Sequence, residues 1–411
     1  MGKKQTHVPL VFRDETFDYQ LMRTLGYSIF QMADINECLT TAHRIQDGNF
    51  DSWYEQWYAM ARRIHAVANH CLENGHKVSA QEAFLRASNY YRTAEFFLHG
   101  NSKDPRIRGA AGKSRLCFAQ SMALSSMNVT VVQISYERTT LPGYLYWVDD
   151  KKRPTIIVQS GFDGTQEELY GYGLEGVKRG YNVLTFEGPG QGAVLREQGL
   201  PFRPDWEVVI RAVVDFVVQQ SIVDAEKLVL YGLSLGGYLA PRGASGDDRI
   251  RILIANCGVY DYLEGIANAE GMTKDYCMQK AKNNGAVLDQ TMLSLMKSNT
   301  GLTWAIEHGM FSFHVTTPSQ LTLKYAEYTL KDRAHLIKST TLICDSEYEL
   351  SIFRGQAQEL YDKLTCQKEF MCFTAEKGAG FHCQLGALLL SQQRVFDWLD
   401  EAVAVLKKET I

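Results

Sequence analysis

No stretch of about 18 apolar residues occurs anywhere in the chain, so the sequence offers no helix able to span a bilayer. The opening residues, MGKKQTHVPLVFRDE, lack the apolar core of a signal peptide, and a cytoplasmic location without a membrane partner is the expectation. An excess of positive charge is missing too. The 43 Lys and Arg residues stand against 47 Asp and Glu, a formal net charge of -4, which gives no basic footprint for nucleic acid and no polybasic run for a lipid surface. The nine cysteines form no CxxC pair, are odd in number and mostly sit in apolar runs such as Ile343-Cys344 and Met371-Cys372. They read as reduced, buried thiols rather than a disulfide framework, with structural zinc the remote alternative. No spacing of His, Cys, Asp or Glu makes a metal-ligand set, and the glycine-rich turn Glu187-Gly188-Pro189-Gly190-Gln191-Gly192 lacks both the lysine of a phosphate loop and the GxGxxG spacing of a dinucleotide site. A tight structural turn is expected there, and no cofactor. What remains as a partner is a small-molecule substrate, with pairing of subunits into a homodimer left open.

What is present is ample core material: 45% hydrophobic and 22% charged residues, the balance of a soluble globular protein. At 411 residues the chain exceeds the usual size of one hydrophobic core, so a catalytic core with an added module or insertion is the natural expectation. The first third reads as helical. Between Asp51 and Asn74, Trp53, Trp57, Met60, Ile64, Val67 and Cys71 recur at spacings of four and three, and Gly75 follows as a stop. Ser79-Ala80-Gln81-Glu82 has the form of a capping box opening a second helix through Phe84, Ala87, Tyr91, Ala94 and Phe97 to Gly100. The aromatic and alanine pattern faintly resembles a tetratricopeptide unit, but a solenoid needs about three or more repeats.

From Asn128 onward the texture changes to short β-branched runs: Val129–Ser135, Leu141–Trp147, Thr155–Gln159, Asn182–Phe186, Leu228–Tyr231, Ile252–Asn256, Thr340–Cys344 and Glu369–Thr374. Those after Thr155 mostly alternate with amphipathic stretches such as Pro204–Gln220, which implies an α/β core with a mainly parallel, doubly wound sheet. Between Asp261 and Arg333 no strand pattern appears, and the segment reads as a helical insertion over the carboxyl edge of the sheet, where such sheets bind ligands. The expected division is an N-terminal helical cap over 1–125, a first core part over 126–262, a cap insertion over 263–332 and a second core part over 333–411.

Leu228-Val229-Leu230-Tyr231-Gly232-Leu233-Ser234-Leu235-Gly236-Gly237-Tyr238 combines a buried strand, a GxSxG turn and a helix start. By chance GxSxG arises in roughly one chain in seven of this length, so the flanking strand and helix carry the reading. In a nucleophile elbow the serine sits on a strained turn whose neighbours must be small. A serine hydroxyl needs an adjacent base, and this arrangement orders its triad as serine, acid, histidine. His382 is the one histidine after the last predicted strand, in a glycine-rich loop, while His335 precedes the strand expected to carry the acid. The acid belongs just beyond Thr340–Cys344, where Asp345, Glu347 and Glu349 compete. Charge on the acyl oxygen calls for two preorganised amides: that of Leu235, and that of Phe162 in the loop Ser160-Gly161-Phe162-Asp163-Gly164-Thr165.

Together with Phe202-Arg203-Pro204-Asp205-Trp206-Glu207, Ala240-Pro241-Arg242, His382-Cys383-Gln384 and the helical Leu85 to Phe97 segment, these motifs resemble one branch of the α/β-hydrolase superfamily over most of the chain, from about Phe50 onward. This is the helical-capped branch that includes 2,6-dihydroxypseudooxynicotine hydrolase and the polyketide-shortening, retro-Claisen hydrolases. The segment Gly355-Gln356-Ala357-Gln358-Glu359-Leu360-Tyr361 resembles the helix following the acid in such enzymes, and aligning it without a gap puts Glu349 in the acid position, where many relatives carry aspartate; Asp345 is the alternative. The resemblance implies hydrolysis of a carbon–carbon bond next to a carbonyl, an ester or a lactone in a secondary metabolite or polyketide-like compound, through an acyl-enzyme. It further points to Asp261 or Glu264 as an extra acid for carbon–carbon cleavage. Two other readings stand beside it: a cyclase or lyase using the same site without an acyl-enzyme, and a helical binding module carrying an inert core. Trp53, Trp57, Tyr90, Tyr91 and Trp304 are either pocket lining or interhelix core.

Overall fold

The computed structural model describes residues 9 to 409, and most of the opening segment read for a signal peptide lies outside that range. Two compact units form: the described residues up to Met127 together with 289–314, and residues 128–288 with 315–411.

The first unit is all helical. Its long antiparallel pair is Phe50–Glu73 and Lys77–Glu95, joined by Gly75 at φ +77°, a conformation that glycine adopts without strain. Trp53, Trp57, Met60 and Ile64 are buried as the periodicity implies, but Val67 is 46% exposed, and Ala61 and Ala68 take the inner face. The second helix starts at Lys77, two residues before the capping box, and His76 supplies no side-chain cap. The tight turn is the reason: the His76 amide donates to Cys71 O, so the chain re-enters a helix at once and Ser79 falls inside it. Trp53, Trp57, Tyr90 and Tyr91 are core, at most 1% exposed, with Phe17 and Phe97 stacked among them and Trp304 packed on the same cluster.

The second unit is built on eight strands: β1 (Asn128–Tyr136), β2 (Thr139–Trp147), β3 (Arg153–Gln159), β4 (Asn182–Phe186), β5 (Val223–Leu233), β6 (Ile250–Asn256), β7 (Thr340–Ser346) and β8 (Lys368–Phe373). Every run read as a strand is one. The order is β1-β2-β4-β3-β5-β6-β7-β8, with β1 and β2 antiparallel and β4 through β8 parallel, the sheet of the α/β-hydrolase fold. β4 is buried at every position, as a strand covered by helices on both faces must be. Segment 263–332 carries no named strand among the described residues; its helices run from Tyr262–Ala269 to Pro318–Tyr325, and 289–314 belongs with the first unit.

The thiols are less uniformly buried than the sequence implied. All nine are free, but Cys71, Cys366 and Cys383 are half-buried and Cys372 is exposed. Cys372 lies on the edge strand β8, whose alternation turns it outward. No helix among the described residues is long and apolar enough to cross a membrane.

Candidate active site

β5 delivers the chain to Ser234, which adopts φ +60°, and helix Gly236–Ala244 leaves at once. The turn is held by the Ser234 amide donating to Asn256 O (2.6 Å) and the Gly237 amide donating to Ser234 O (2.7 Å). Only glycine fits around it: a Cβ on Gly232 would stand 1.9 Å from Gly236 O, and one on Gly237 would stand 1.4 Å from Cys257 O. The small neighbours required by the motif are thus required by hard-sphere contact.

His382 lies in the loop after β8 and points Nε2 at Ser234 Oγ, 2.9 Å away. Its Nδ1 hydrogen-bonds Glu349 Oε1, which also accepts the Leu350 amide at 2.7 Å. Glu349 and His382 are buried, and the Phe353 ring stacks on the imidazole with centroids 5.2 Å apart. Burial alone would disfavour the charged imidazole, but the neighbouring Cys383 sulfur and Glu349 carboxylate outweigh it, and His382 holds its proton well above the usual histidine range. The structure therefore brings together Ser234, His382 and Glu349. It does not bring in the rival acids: Asp345 accepts the Ser346 amide, and Glu347 accepts the Ala375 amide. Burial, with the Glu349 charge nearby, pushes the Asp345 carboxyl up to about 6. His335 is exposed in a short turn away from the serine.

The loop carrying Phe162 stands directly against the elbow. A side chain at Gly161 would sit 2.5 Å from the Leu235 amide nitrogen, so the two backbones approach as closely as backbone allows. The Leu235 amide is buried and makes no hydrogen bond to any described residue. Gln191, which sequence reasoning passed over as part of a tight turn, is the pin of this loop: its Nε2 donates to Ser160 O (3.0 Å) and Gly161 O (2.9 Å), while its Oε1 accepts the Gly188 amide. The turn itself is structural, with Gly190 at φ +84° and buried Glu187 accepting the Gln166 and Ala193 amides.

A second clamp holds the histidine loop. Gln384 and Asn256 exchange two side-chain hydrogen bonds, and Gln384 also donates to Ser346 Oγ, tying the loop to the ends of β6 and β7. Its only signal in the sequence is its place beside His382. Asp261 turns out to be the N-cap of helix Tyr262–Ala269, accepting the Glu264 amide and pairing with Lys274. Among the described residues neither Asp261 nor Glu264 is hydrogen-bonded to Ser234, His382 or Glu349: the Asp261 carboxylate caps that helix and pairs with Lys274, and Glu264 gives its amide to the cap. Cys257, Glu349 and His382 place donor atoms within 4.8 Å of one another. Nδ1 is already committed to Glu349 and burial pushes the Cys257 thiol up, so the donors are set for a triad with a neighbouring thiol rather than for a cation.

The profile of the prolyl oligopeptidase family matches residues 208–296, a stretch containing the elbow. Over nearly its whole length the chain is similar to Hydrolase LUC6 of Fusarium sp, 34% identical across 97% of this chain and 99% of that protein. It is equally similar to 20-hydroxy-prefusarin hydrolase FUS2 of Gibberella moniliformis, 34% identical across 96% and 98%. Among solved structures, 2,6-dihydroxy-pseudo-oxynicotine hydrolase superposes with a TM-score of 0.74 at 19% identity, covering 93% of this chain and 96% of that one, a likeness of fold.

Proposed function

The chain belongs to the α/β-hydrolase family that includes these fungal hydrolases, and from that premise we propose that it is a serine hydrolase acting on a small-molecule carbonyl compound of the polyketide or secondary-metabolite kind. The observation that carries the reading is the continuous chain from Glu349 through His382 Nδ1 and Nε2 to Ser234 Oγ. His382 takes the serine proton as Oγ attacks the carbonyl. Glu349 holds the imidazole in the tautomer with hydrogen on Nδ1 and stabilises the cation that forms. The Leu235 and Phe162 amides receive the oxyanion, an interaction worth about 3–4 kcal/mol per donor in comparable hydrolases. His382 then gives its proton to the leaving group, and water, activated by the same base, releases the acyl-enzyme. For an ester or lactone the leaving atom is oxygen; for a β-dicarbonyl it is the carbon of an enolate. That a relative is named for hydrolysing 20-hydroxy-prefusarin supports the choice of substrate class.

A fluorophosphonate probe, with peptide mass spectrometry, tests the nucleophile. We expect adduct at Ser234 in the wild type and none in His382→Ala. A folded protein that stays unlabelled, or a Ser234→Ala variant that keeps full turnover, would sink the acyl-enzyme and put cyclisation without a covalent intermediate in its place.

A further inference from the structure

Each nitrogen of the His382 imidazole faces a sulfur as well as its triad partner. Cys257 Sγ lies 3.8 Å from Nδ1, and Cys383 Sγ lies 3.5 Å from Nε2, the atom that takes the serine proton. Nδ1 is committed to Glu349, which leaves the contact at Nε2 as the one that bears on proton transfer. Adjacent side chains do not face one another in regular structure. Cys383 meets the ring of its neighbour because it takes φ +50° and Gln384 after it takes φ +53°, two successive left-handed residues, neither of them glycine. Such backbone persists only where its surroundings hold it, and the hydrogen bonds between Gln384 and Asn256 hold it here. The same strand end receives the cysteine: its S–H donates to Asn256 O at 3.5 Å, the carbonyl that also accepts the Ser234 amide.

The direction of these bonds separates two states of the base. In the resting triad Glu349 keeps the proton on Nδ1, so Nε2 presents a lone pair, which accepts from Ser234 Oγ. With its own hydrogen on Asn256 O, the Cys383 sulfur then offers Nε2 only lone pairs, and the contact gains nothing. Once Nε2 has taken the serine proton, the new N–H finds the sulfur within reach as an acceptor. An attraction that exists only with the imidazolium stabilises the transition state and not the resting enzyme, and an interaction of that kind raises the rate. His382 is shifted in the same sense: burial opposes the cation, and the Cys383 sulfur is the foremost of the groups that outweigh it.

We propose that Cys383 is a further catalytic residue, whose sulfur accepts a hydrogen bond from protonated Nε2 of His382 while the tetrahedral adduct stands on Ser234. The inference rests on the serine-hydrolase reading above and goes beyond its triad. As the bond from Oγ to the carbonyl carbon forms, the proton leaves Oγ for Nε2, where Sγ and the leaving atom of the substrate share the N–H. The proton then passes to the leaving atom as the bond to that atom breaks. The sulfur itself gains and loses neither proton nor electron, so the step balances without any co-reactant.

The test is the rate of fluorophosphonate labelling at Ser234 as a function of pH, in wild type, Cys383→Ala, Cys383→Gly and Cys383→Ser. Labelling needs the base to take the serine proton, and fluoride leaves without one. Glycine adopts the left-handed turn without strain, so Cys383→Gly guards against a loss that comes from the backbone. In the alanine and glycine variants we expect the plateau rate to fall by about tenfold and the midpoint of the acid limb to move down by about one pH unit, the same free energy read in rate and in ionisation. The other titratable groups that face the imidazole are Glu349, Cys257 and, from further off, Asp345 and Tyr262; all are kept, so the movement reports the sulfur. Cys383→Ser retains a hydroxyl able to donate to Asn256 O and accept from Nε2, and it should restore most of both. A slower rate with an unmoved limb would mean that Cys383 merely supports the loop. Unchanged rate and limb, or a serine variant as impaired as alanine, would likewise overturn the proposal while leaving the serine hydrolase intact. Failure of Ser234 labelling in folded wild type would instead remove the reading beneath it.

Discussion

At the scale of single residues the site turns on which carboxylate faces the histidine. Glu349 and Asp345 are four positions apart, yet only Glu349 reaches Nδ1, because Asp345 is still on β7 and turned onto the Ser346 amide. Glu349→Gln keeps the shape but removes the charge and favours the wrong tautomer, so kcat should fall by about 10⁴-fold, the loss seen for the equivalent change in a serine protease triad. Asp345→Asn should stay within about tenfold of wild type, having no transition-state contact to lose. The reverse order in steady-state kinetics would reassign the acid. The pH profile follows from the same contact. Only the neutral imidazole can accept the serine proton, and His382 is held protonated above its usual range. The acid limb of kcat/KM should therefore have its midpoint above the ordinary value of about 6.5, with activity rising as pH increases through it. In Glu349→Gln the limb should shift to lower pH, since a neutral amide no longer favours the cation. A limb that does not move would mean another group sets it.

At the scale of elements, the turn after β4 acts on the loop after β3. Gln191 bridges the Ser160 and Gly161 carbonyls of the loop proposed to supply the Phe162 amide, and its loss leaves them unpaired in a buried setting. Gln191→Ala should cost about 1–3 kcal/mol of stability. It should also lower kcat by roughly 10–100-fold as Phe162 loses its placement, with KM changed less. Measuring kcat and the urea midpoint together separates the two effects; a stability loss with unaltered kcat would show the pin to be structural only. The sequence displayed this turn as glycine-rich but gave no sign of what its glutamine reaches, because the partners lie about 30 residues upstream. Local rules failed in a similar way at Ser79, where a good capping signal lost to a turn that restarts the helix earlier. They succeeded wherever a strand was buried on both faces, since an unbroken β-branched run between turn residues has few other uses.

At the scale of the whole molecule, the helical unit relies on an aromatic core of Phe17, Trp53, Trp57, Tyr90 and Phe97. Trp53→Ala should cost about 3–5 kcal/mol. Hydrogen exchange ought to speed up most in Phe50–Glu73 and Lys77–Glu95, the two helices that share that core. A loss under about 1 kcal/mol would indicate that the site collapses around the missing ring. The unit also takes 289–314 from the long segment between β6 and β7, so one stretch of sequence is divided between two cores. Periodicity identifies an amphipathic helix and says nothing of which core receives it.

The sequence alone determined the eight strands, the parallel character of the sheet, the elbow at Ser234 and the lateness of His382, because each follows from local pattern or from the chain order such a sheet imposes. The tertiary structure decided the rest. Ser234 and His382 are 148 positions apart and meet only because β5 and the loop after β8 open on the same sheet edge. The choice of Glu349 over Asp345, the Gln191 pin and the Asn256–Gln384 clamp all depend on side-chain directions between residues distant in sequence. Those directions are set by packing, and packing has no signature in the order of residues along the chain.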